Sequence, residues 1–214
     1  MNRLLLSLIL AVPALAGAAP SSQVAWTAEQ LKFVKAGNAQ KGQELAASCA
    51  SCHGDIGDSE TPAYPSLAGQ LPTYLFKQLQ DYADGSRDSP FMTGIAKGLS
   101  KQDMADLAAW FASQPASSEN SGLADLKQAE TLVTRGDNER LLVPCEVCHG
   151  NDGEGQKLDI PALAGQKAEY LSATLNAFKD GSRHNDVYGK MRLIAKTLTE
   201  KEIEELGAYY QSLK

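Results

Sequence analysis

The chain has 214 residues, of which 43% are hydrophobic and 21% are charged, as in soluble globular proteins. This length suits one ordinary domain or two small ones. The formal net charge of −6 comes from 20 basic and 26 acidic residues, and the acidic excess is spread over both halves, which excludes a basic face for nucleic acid.

The N-terminus has the three parts of a secretory signal. A basic residue precedes an apolar run from Leu4 to Val12, and small residues follow up to Ala19. This order predicts a signal peptide over residues 1–19, cleaved near Ala18 or Ala19. The alternative is an uncleaved membrane anchor, for which the apolar run is short. We therefore predict an exported mature protein.

All four cysteines belong to two copies of one motif, Cys-x-x-Cys-His. Two cysteines three positions apart on a helical turn can bond two vinyl groups on one edge of a porphyrin. The next residue can then turn its imidazole under the ring toward iron, so the motif predicts attachment of a c-type haem. We predict two covalent haem c groups, with thioether bonds from cysteines and an iron ligand from histidine: Cys49, Cys52 and His53, and Cys145, Cys148 and His149.

Cysteine pairs of this kind also occur in zinc sites, redox sites and disulfides. Two Cys-x-x-Cys pairs can bind zinc, but zinc does not require a histidine directly after each pair. A thioredoxin-like redox site needs one such pair in a strand–helix context, whereas this chain has two pairs. Disulfides between the pairs suit an exported protein but leave both histidines unexplained.

The chain is a tandem repeat. With the two cysteine motifs aligned, at an offset of 96 residues, Pro-x-Leu-Ala-Gly-Gln recurs at 65–70 and 161–166, and Asp-Gly-Ser-Arg recurs further on in both copies. A shared composition of two helical stretches would not reproduce these matches. We predict two domains, 24–117 and 125–214, joined by a polar linker at 118–124.

Both repeats show helical patterns and neither shows the alternation of a strand, so an all-α fold is predicted. Ser100 is the expected N-cap of one helix, and Thr199 begins a capping box at the equivalent place in the second repeat. A middle helix is predicted over 72–83 with its end at Gly85, and its counterpart ends before Gly181.

The second axial position of each iron requires another ligand. Met92 and Met191 become repeat partners after a three-residue insertion, and each follows its cysteine motif by about 40 residues in an irregular stretch rich in Gly, Ser or Pro. Met104 lies on the apolar face of a predicted helix, where core packing is its expected role. His184, the only histidine outside the motifs, is the alternative ligand of the second haem. A thioether ligand raises the reduction potential, and two filled axial positions leave no site for oxygen or peroxide.

These motifs resemble those of class I cytochrome c domains, and the tandem as a whole resembles the cytochrome c4 family of periplasmic dihaem cytochromes. The resemblance covers nearly all of the predicted mature chain. It implies that the carbonyls of Pro65 and Pro161, each twelve residues after the motif histidine, hold the second nitrogen of His53 and His149. The alternative for each proline is an ordinary loop position.

The resemblance also implies two domains related by a pseudo-two-fold axis, with haem propionates near their interface. It implies redox proteins as partners, namely a terminal oxidase, a quinol-oxidising complex or a periplasmic dehydrogenase, with peripheral membrane association as a further expectation. The chain departs from the family in a longer segment, 21–39, before the first motif. Its residues Trp26, Leu31, Phe33 and Val34 predict either an additional packed helix or a partner surface.

Three functions are compatible with this pattern. The leading hypothesis is a diffusing dihaem electron carrier and not an enzyme. The second is an electron-accepting subunit of a larger oxidoreductase, such as a sulfur-compound dehydrogenase. The third is a dihaem peroxidase, which needs an open iron and acid–base residues over the haem, for which this chain has too few histidines.

Overall fold

The protein is described here from a computed structural model that covers residues 21–117, 126–156 and 158–214. Within these ranges the secondary structure is helical, and the only β contacts are two isolated bridges. The all-α prediction is therefore confirmed. The predicted signal peptide, 1–19, and the predicted linker, 118–124, lie outside the described residues.

The described residues form two helical units, which we call the N-terminal unit (21–117) and the C-terminal unit (126–214). The N-terminal unit contains α1 (Ala28–Lys35), α2 (Ala39–Ala46), α3 (Ala50–His53), α4 (Pro72–Asp84), α5 (Met92–Lys97) and α6 (Lys101–Ala112). The C-terminal unit contains α7 (Lys127–Arg135), α8 (Glu146–His149), α9 (Ala168–Asp180), α10 (Lys190–Thr197) and α11 (Glu200–Ser212), with a short 3-10 turn (Val187–Gly189) before α10.

Each unit is built around its last helix. In the N-terminal unit, α2 and α4 pack on α6, and in the C-terminal unit α7 and α9 pack on α11. The close contact between α2 and α6 requires a glycine, because a Cβ on Gly42 would lie 2.0 Å from the backbone oxygen of Asp106. The two cores are separate clusters of aliphatic and aromatic side chains, one centred on Phe76 and Met104 and the other on Ile203 and Tyr210.

The local start and stop signals act as predicted. Ser100 and Asp103 form a reciprocal capping box at the start of α6, and Thr199 does the same with its partner three residues later in α11. The helices α4 and α9 end at Gly85 and Gly181, whose φ angles of 86° and 84° are those that glycine adopts most easily.

The structure decides one alternative left open by the sequence and corrects one expectation. The segment before the first motif forms the additional packed helix, α1, in which Val34 is 1% exposed and Phe33 makes an edge contact with Phe76 at 6.1 Å. The expected irregular stretches around Met92 and Met191 are instead short helices. At the first, the Ser89 hydroxyl accepts hydrogen bonds from the backbone N–H groups that begin α5, which stabilises a helical turn.

Candidate functional site

The two motif histidines have the same environment in both units. His53 and His149 end the short helices α3 and α8, and each is 8% exposed. The Nδ1 atom of His53 lies 2.8 Å from the Pro65 carbonyl oxygen, and that of His149 lies 2.9 Å from the carbonyl oxygen of Pro161. Burial lowers the pKa of both imidazoles, against the opposing effect of these hydrogen bonds.

This geometry fixes the tautomer of each histidine. A carbonyl oxygen only accepts hydrogen bonds, so Nδ1 carries the proton and donates it. The lone pair is therefore on Nε2, the atom that a metal would bind, and a neutral imidazole is the form that binds metals. Each proline that lies twelve residues after a motif histidine therefore accepts a specific hydrogen bond from it, and neither proline is an ordinary loop residue.

The four motif cysteines lie on or next to the same helical turns as the histidines. Burial raises the pKa of Cys49, and it raises the pKa of Cys145 to about 11, so neither thiol is prepared as a thiolate ligand. Among the residues described, no three of His, Cys, Asp and Glu converge to hold a metal ion. The described residues therefore do not bring the two motifs together as a shared zinc site.

The methionines divide into two kinds. Met104 is 2% exposed in the core of the N-terminal unit, where its sulfur accepts a hydrogen bond from Gln80 at 3.0 Å. Met92 and Met191 are instead half-buried at the starts of α5 and α10, which pack on the equivalent helices α4 and α9. His184 is exposed, and its repeat partner is an aspartate.

The exposed apolar side chains mark the surface that a large apolar group would cover. In the described residues, every large hydrophobic side chain that is exposed lies within four residues of a Cys-x-x-Cys-His motif, of Met92 or of Met191. Their exposed fractions run from 43% to 88%: Ile56, Phe91, Ile95, Leu141, Val143, Val147, Tyr188 and Leu193. A porphyrin bound beside each motif is the kind of group that would shield such side chains from water.

Equivalent residues of the two repeats make equivalent hydrogen bonds across the contact between the units. Gln70 Nε2 donates to the carbonyl of Ala162, and its Oε1 accepts from the N–H of the same residue, both at 2.9 Å. Gln166 makes the same two bonds, also at 2.9 Å, with the backbone of Ser66. Both glutamines end a Pro-x-Leu-Ala-Gly-Gln segment, so the repeat identified in the sequence contributes directly to this interface.

A second set of repeat partners brings two guanidinium groups into the interface. Arg87 donates to the Tyr170 hydroxyl at 3.2 Å, and Arg183 donates to the hydroxyl of Tyr74 at 3.1 Å. Each guanidinium also stacks on an aromatic ring of its own unit, at 4.6 Å for Arg87 over Tyr82 and 4.4 Å for Arg183 over the equivalent phenylalanine. These residues were not recognised as functional in the sequence, although both arginines lie in the repeated Asp-Gly-Ser-Arg segment.

This cluster places two positive charges beside phenol groups. Burial opposes ionisation of Tyr170, but Arg87 and Arg183 outweigh it and lower the pKa of this phenol to about 7. Neither arginine has a carboxylate partner within ion-pair distance in the described ranges. Arg183 is buried and Arg87 is half-buried, and charges removed from water are normally paired, so the cluster fits the propionate carboxylates that a haem would place nearby.

Comparison with known proteins agrees with this geometry. The Cytochrome c family model matches residues 39–115 and 140–214, one match in each unit. Cytochrome c4 of Pseudomonas aeruginosa is 40% identical over 218 aligned positions that cover all of both chains. The chain belongs to the cytochrome c4 family.

Family membership establishes the cofactor and the function. The chain carries two covalently bound c-type haems and is a dihaem cytochrome that transfers electrons. The crystal structure of reduced cytochrome c4 from Pseudomonas stutzeri superposes with a TM-score of 0.81 at 40% identity, over 84% of this chain and all of that one. A thiosulfate dehydrogenase electron acceptor from Thiomonas intermedia is 37% identical over 77% of each chain. None of the helices in the described ranges has the length and apolar character needed to cross a membrane.

Proposed function

We propose that this cytochrome is an electron carrier and not an enzyme, with one haem in each of two domains, 24–117 and 125–214. Cys49 and Cys52 would form the thioether bonds of the first haem, and Cys145 and Cys148 those of the second. The bound haem supplies a one-electron ferric/ferrous couple. The observation that carries the proposal is the histidine–proline hydrogen bond, present in both units and leaving Nε2 free for iron in each.

The axial ligands would be His53 with Met92, and His149 with Met191. The two methionines are repeat partners, and each lies on a short helix packed against the helix that follows its unit's Pro-x-Leu-Ala-Gly-Gln segment. Thioethers are soft ligands that favour ferrous iron and raise the potential above that of a bis-histidine site. With both axial positions filled by the protein, the iron would exchange electrons rather than activate a substrate.

The polar side chains at the interface have a binding role in this proposal. Arg87 and Arg183, with the hydroxyl groups of Tyr74 and Tyr170, would bind the haem propionates. The propionates would supply the negative charge that the buried guanidinium of Arg183 and the half-buried guanidinium of Arg87 require. Because each arginine bonds to a tyrosine of the other unit, the propionate sites would be shared between the two domains.

A redox titration with optical detection tests this function. The purified holoprotein should show two one-electron couples with the spectrum of six-coordinate, low-spin haem in both oxidation states. It should also fail to bind carbon monoxide in its reduced form at neutral pH, since no axial position is open. A single couple, or high-spin haem that takes up an external ligand, would refute the assignment of two His/Met sites.

We place this activity outside the cytoplasm, in a periplasm, after removal of residues 1–19. The partners would be redox proteins, a terminal oxidase, a quinol-oxidising complex or a periplasmic dehydrogenase, reached by diffusion or by peripheral membrane association. The acidic surface, with a formal net charge of −6, favours partners with basic docking faces. N-terminal sequencing of the secreted protein should begin within a few residues of Ala19.

The second candidate is an electron-accepting subunit of a sulfur-compound dehydrogenase. The similarity to a thiosulfate dehydrogenase electron acceptor from Thiomonas intermedia supports it. Copurification separates the two functions. A carrier elutes alone at the size of this chain, whereas a subunit elutes with a catalytic partner that reduces it when the sulfur substrate is added.

A further inference from the structure

Each motif histidine is bonded to a peptide group that also bonds to the opposite unit. The carbonyl that accepts from His149 and the N–H of Ala162 belong to one peptide group, the link between Pro161 and Ala162. That N–H donates to Gln70 Oε1 at 2.9 Å. A hydrogen-bonded chain therefore runs from the amide of Gln70, in the N-terminal unit, through one peptide group to the imidazole of His149.

The reverse chain is present with distances that agree within 0.1 Å. The peptide group between Pro65 and Ser66 accepts from His53 at 2.8 Å through its carbonyl and donates to Gln166 Oε1 at 2.9 Å through its N–H. Gln70, Gln166 and Ser66 are 6%, 7% and 4% exposed, so water has little access to the glutamine side chains. Each unit thus contributes a glutamine to the support of the other unit's histidine.

Bonds in such a chain strengthen one another. An acceptor on the N–H of a peptide group polarises the group and makes its carbonyl a better acceptor. A stronger bond from the carbonyl to Nδ1–H makes the imidazole a more basic ligand, which stabilises ferric iron and lowers the reduction potential. Such an effect would pass across the domain interface through the shared peptide group.

We propose that Gln70 and Gln166 are positioning residues that tune the potential of the haem in the opposite domain. Gln70 acts on the haem bound by His149, and Gln166 acts on the haem bound by His53. The proposal rests on the two histidines being the iron ligands proposed above. It assigns a specific function to the last residue of each Pro-x-Leu-Ala-Gly-Gln segment, and it makes the domain interface part of both haem sites.

The test is a crossed pattern of potentials. Gln70→Met and Gln166→Met keep the side-chain volume and remove both interface hydrogen bonds. Potentials are measured for each haem by following its own NMR resonances through a redox titration, with assignments from Met92→Ala and Met191→Ala. Gln70→Met should raise only the potential of the C-terminal haem, and Gln166→Met only that of the N-terminal haem. The expected change in the reduction equilibrium is between about twofold and tenfold, or roughly 18 to 59 mV for a one-electron couple.

A matched control removes a different hydrogen bond from the same interface. The Thr73 hydroxyl donates to the carbonyl of Leu158 in the other unit at 2.5 Å, but that carbonyl is not part of a peptide bonded to a motif histidine. Thr73→Val should leave both potentials unchanged. If it shifts them as much as the glutamine variants do, the cause is a general change at the interface and the proposal is wrong.

A second pair of variants covers the case in which methionine disrupts folding. Gln70→Glu and Gln166→Glu retain an acceptor oxygen for the peptide N–H and add charge, so each should lower the potential of the opposite haem more than that of its own. A shift confined to the variant's own haem, equal shifts of both haems, or no shift in either pair would overturn the proposal. If the unmodified protein shows no pair of haem couples, the proposed function fails instead, before any variant is compared.

Discussion

Lys77 and Asp81 form an ion pair of 2.5 Å that is buried where the two units meet. Their residue exposures are 1% and 0%, and both also bond to Asn185 of the C-terminal unit, through its carbonyl and its side-chain amide. The positions equivalent to the pair in the second repeat are alanines, so this contact breaks the two-fold character of the interface.

Removing one partner of this pair should be far worse than removing both. Lys77→Ala leaves a buried carboxylate without its counter-charge and should lower the free energy of unfolding by about 3–5 kcal/mol. Lys77→Met combined with Asp81→Leu should recover most of that loss, because an apolar pair fills the volume without a desolvation cost. Denaturant unfolding of the holoprotein measures both values.

The control for this experiment is an exposed ion pair. Lys179 and Glu200 lie 2.7 Å apart with side-chain exposures of 29% and 70%. Lys179→Ala should change the free energy of unfolding by less than about 1 kcal/mol. Equal losses for Lys77→Ala and Lys179→Ala would show that the interfacial pair is not sealed from water.

Replacing an axial methionine should open one iron and leave the other unchanged. Met92→Ala and Met191→Ala should each lower one of the two potentials and allow imidazole to bind at one haem per chain. Met104→Leu should keep both low-spin spectra and cost less than about 1.5 kcal/mol, since it is a volume-conserving change in the core. Absorption spectra and redox titrations measure these changes. The assignment of Met92 and Met191 as ligands would be wrong if Met104→Leu changed the iron ligation and the two alanine variants did not.

The interface arginines should raise the haem potentials through their charge. Arg87→Gln and Arg183→Gln remove a positive charge that would lie beside the propionates, so ferric iron becomes relatively more stable and at least one potential should fall. Spectroelectrochemistry measures this fall. Potentials that stay at their original values in both variants would show that the propionates are bound elsewhere.

Acid should weaken the C-terminal unit through one carboxylate. Hydrogen bonds from Arg140, at 2.7 and 2.9 Å, lower the pKa of Glu202 to about 2 against the effect of burial. Because the folded pKa lies below the usual 4.5, this stabilisation is present above about pH 5 and is lost as the pH falls toward about 2. Arg140→Gln should cost about 1–3 kcal/mol at neutral pH and make stability less dependent on pH in that range. Unfolding curves with the same acid dependence in both proteins would contradict this account.

Features coded by neighbouring residues were predictable from the sequence. The capping residues Ser100 and Thr199 and the helix-ending glycines Gly85 and Gly181 act within one turn of chain, and the structure has each of them at the expected position. The short helix at Met92 was not predicted, because the abundance of Gly, Ser and Pro in that stretch indicated an irregular loop. In the structure its first N–H groups donate to the hydroxyl of Ser89, which stabilises the helical turn.

The interface was not predictable in the same way. The bonds of Gln70 to Ala162 and of Lys77 to Asn185 join residues that are 92 and 108 positions apart, and they depend on how two folded units dock. The repeat showed that Gln70 and Gln166 are equivalent, but equivalence alone does not reveal which peptide groups they contact. The effect of each unit on the other's histidine therefore became visible only in three dimensions.

The most direct test of the central claim is intact-mass measurement of the purified, secreted protein, followed by peptide mapping. The account predicts a polypeptide that has lost its first residues and gained two haem groups, one on the peptide that contains Cys49 and Cys52 and one on the peptide that contains Cys145 and Cys148. A colourless protein with the mass of the polypeptide alone, or one that holds zinc and no iron, would contradict it.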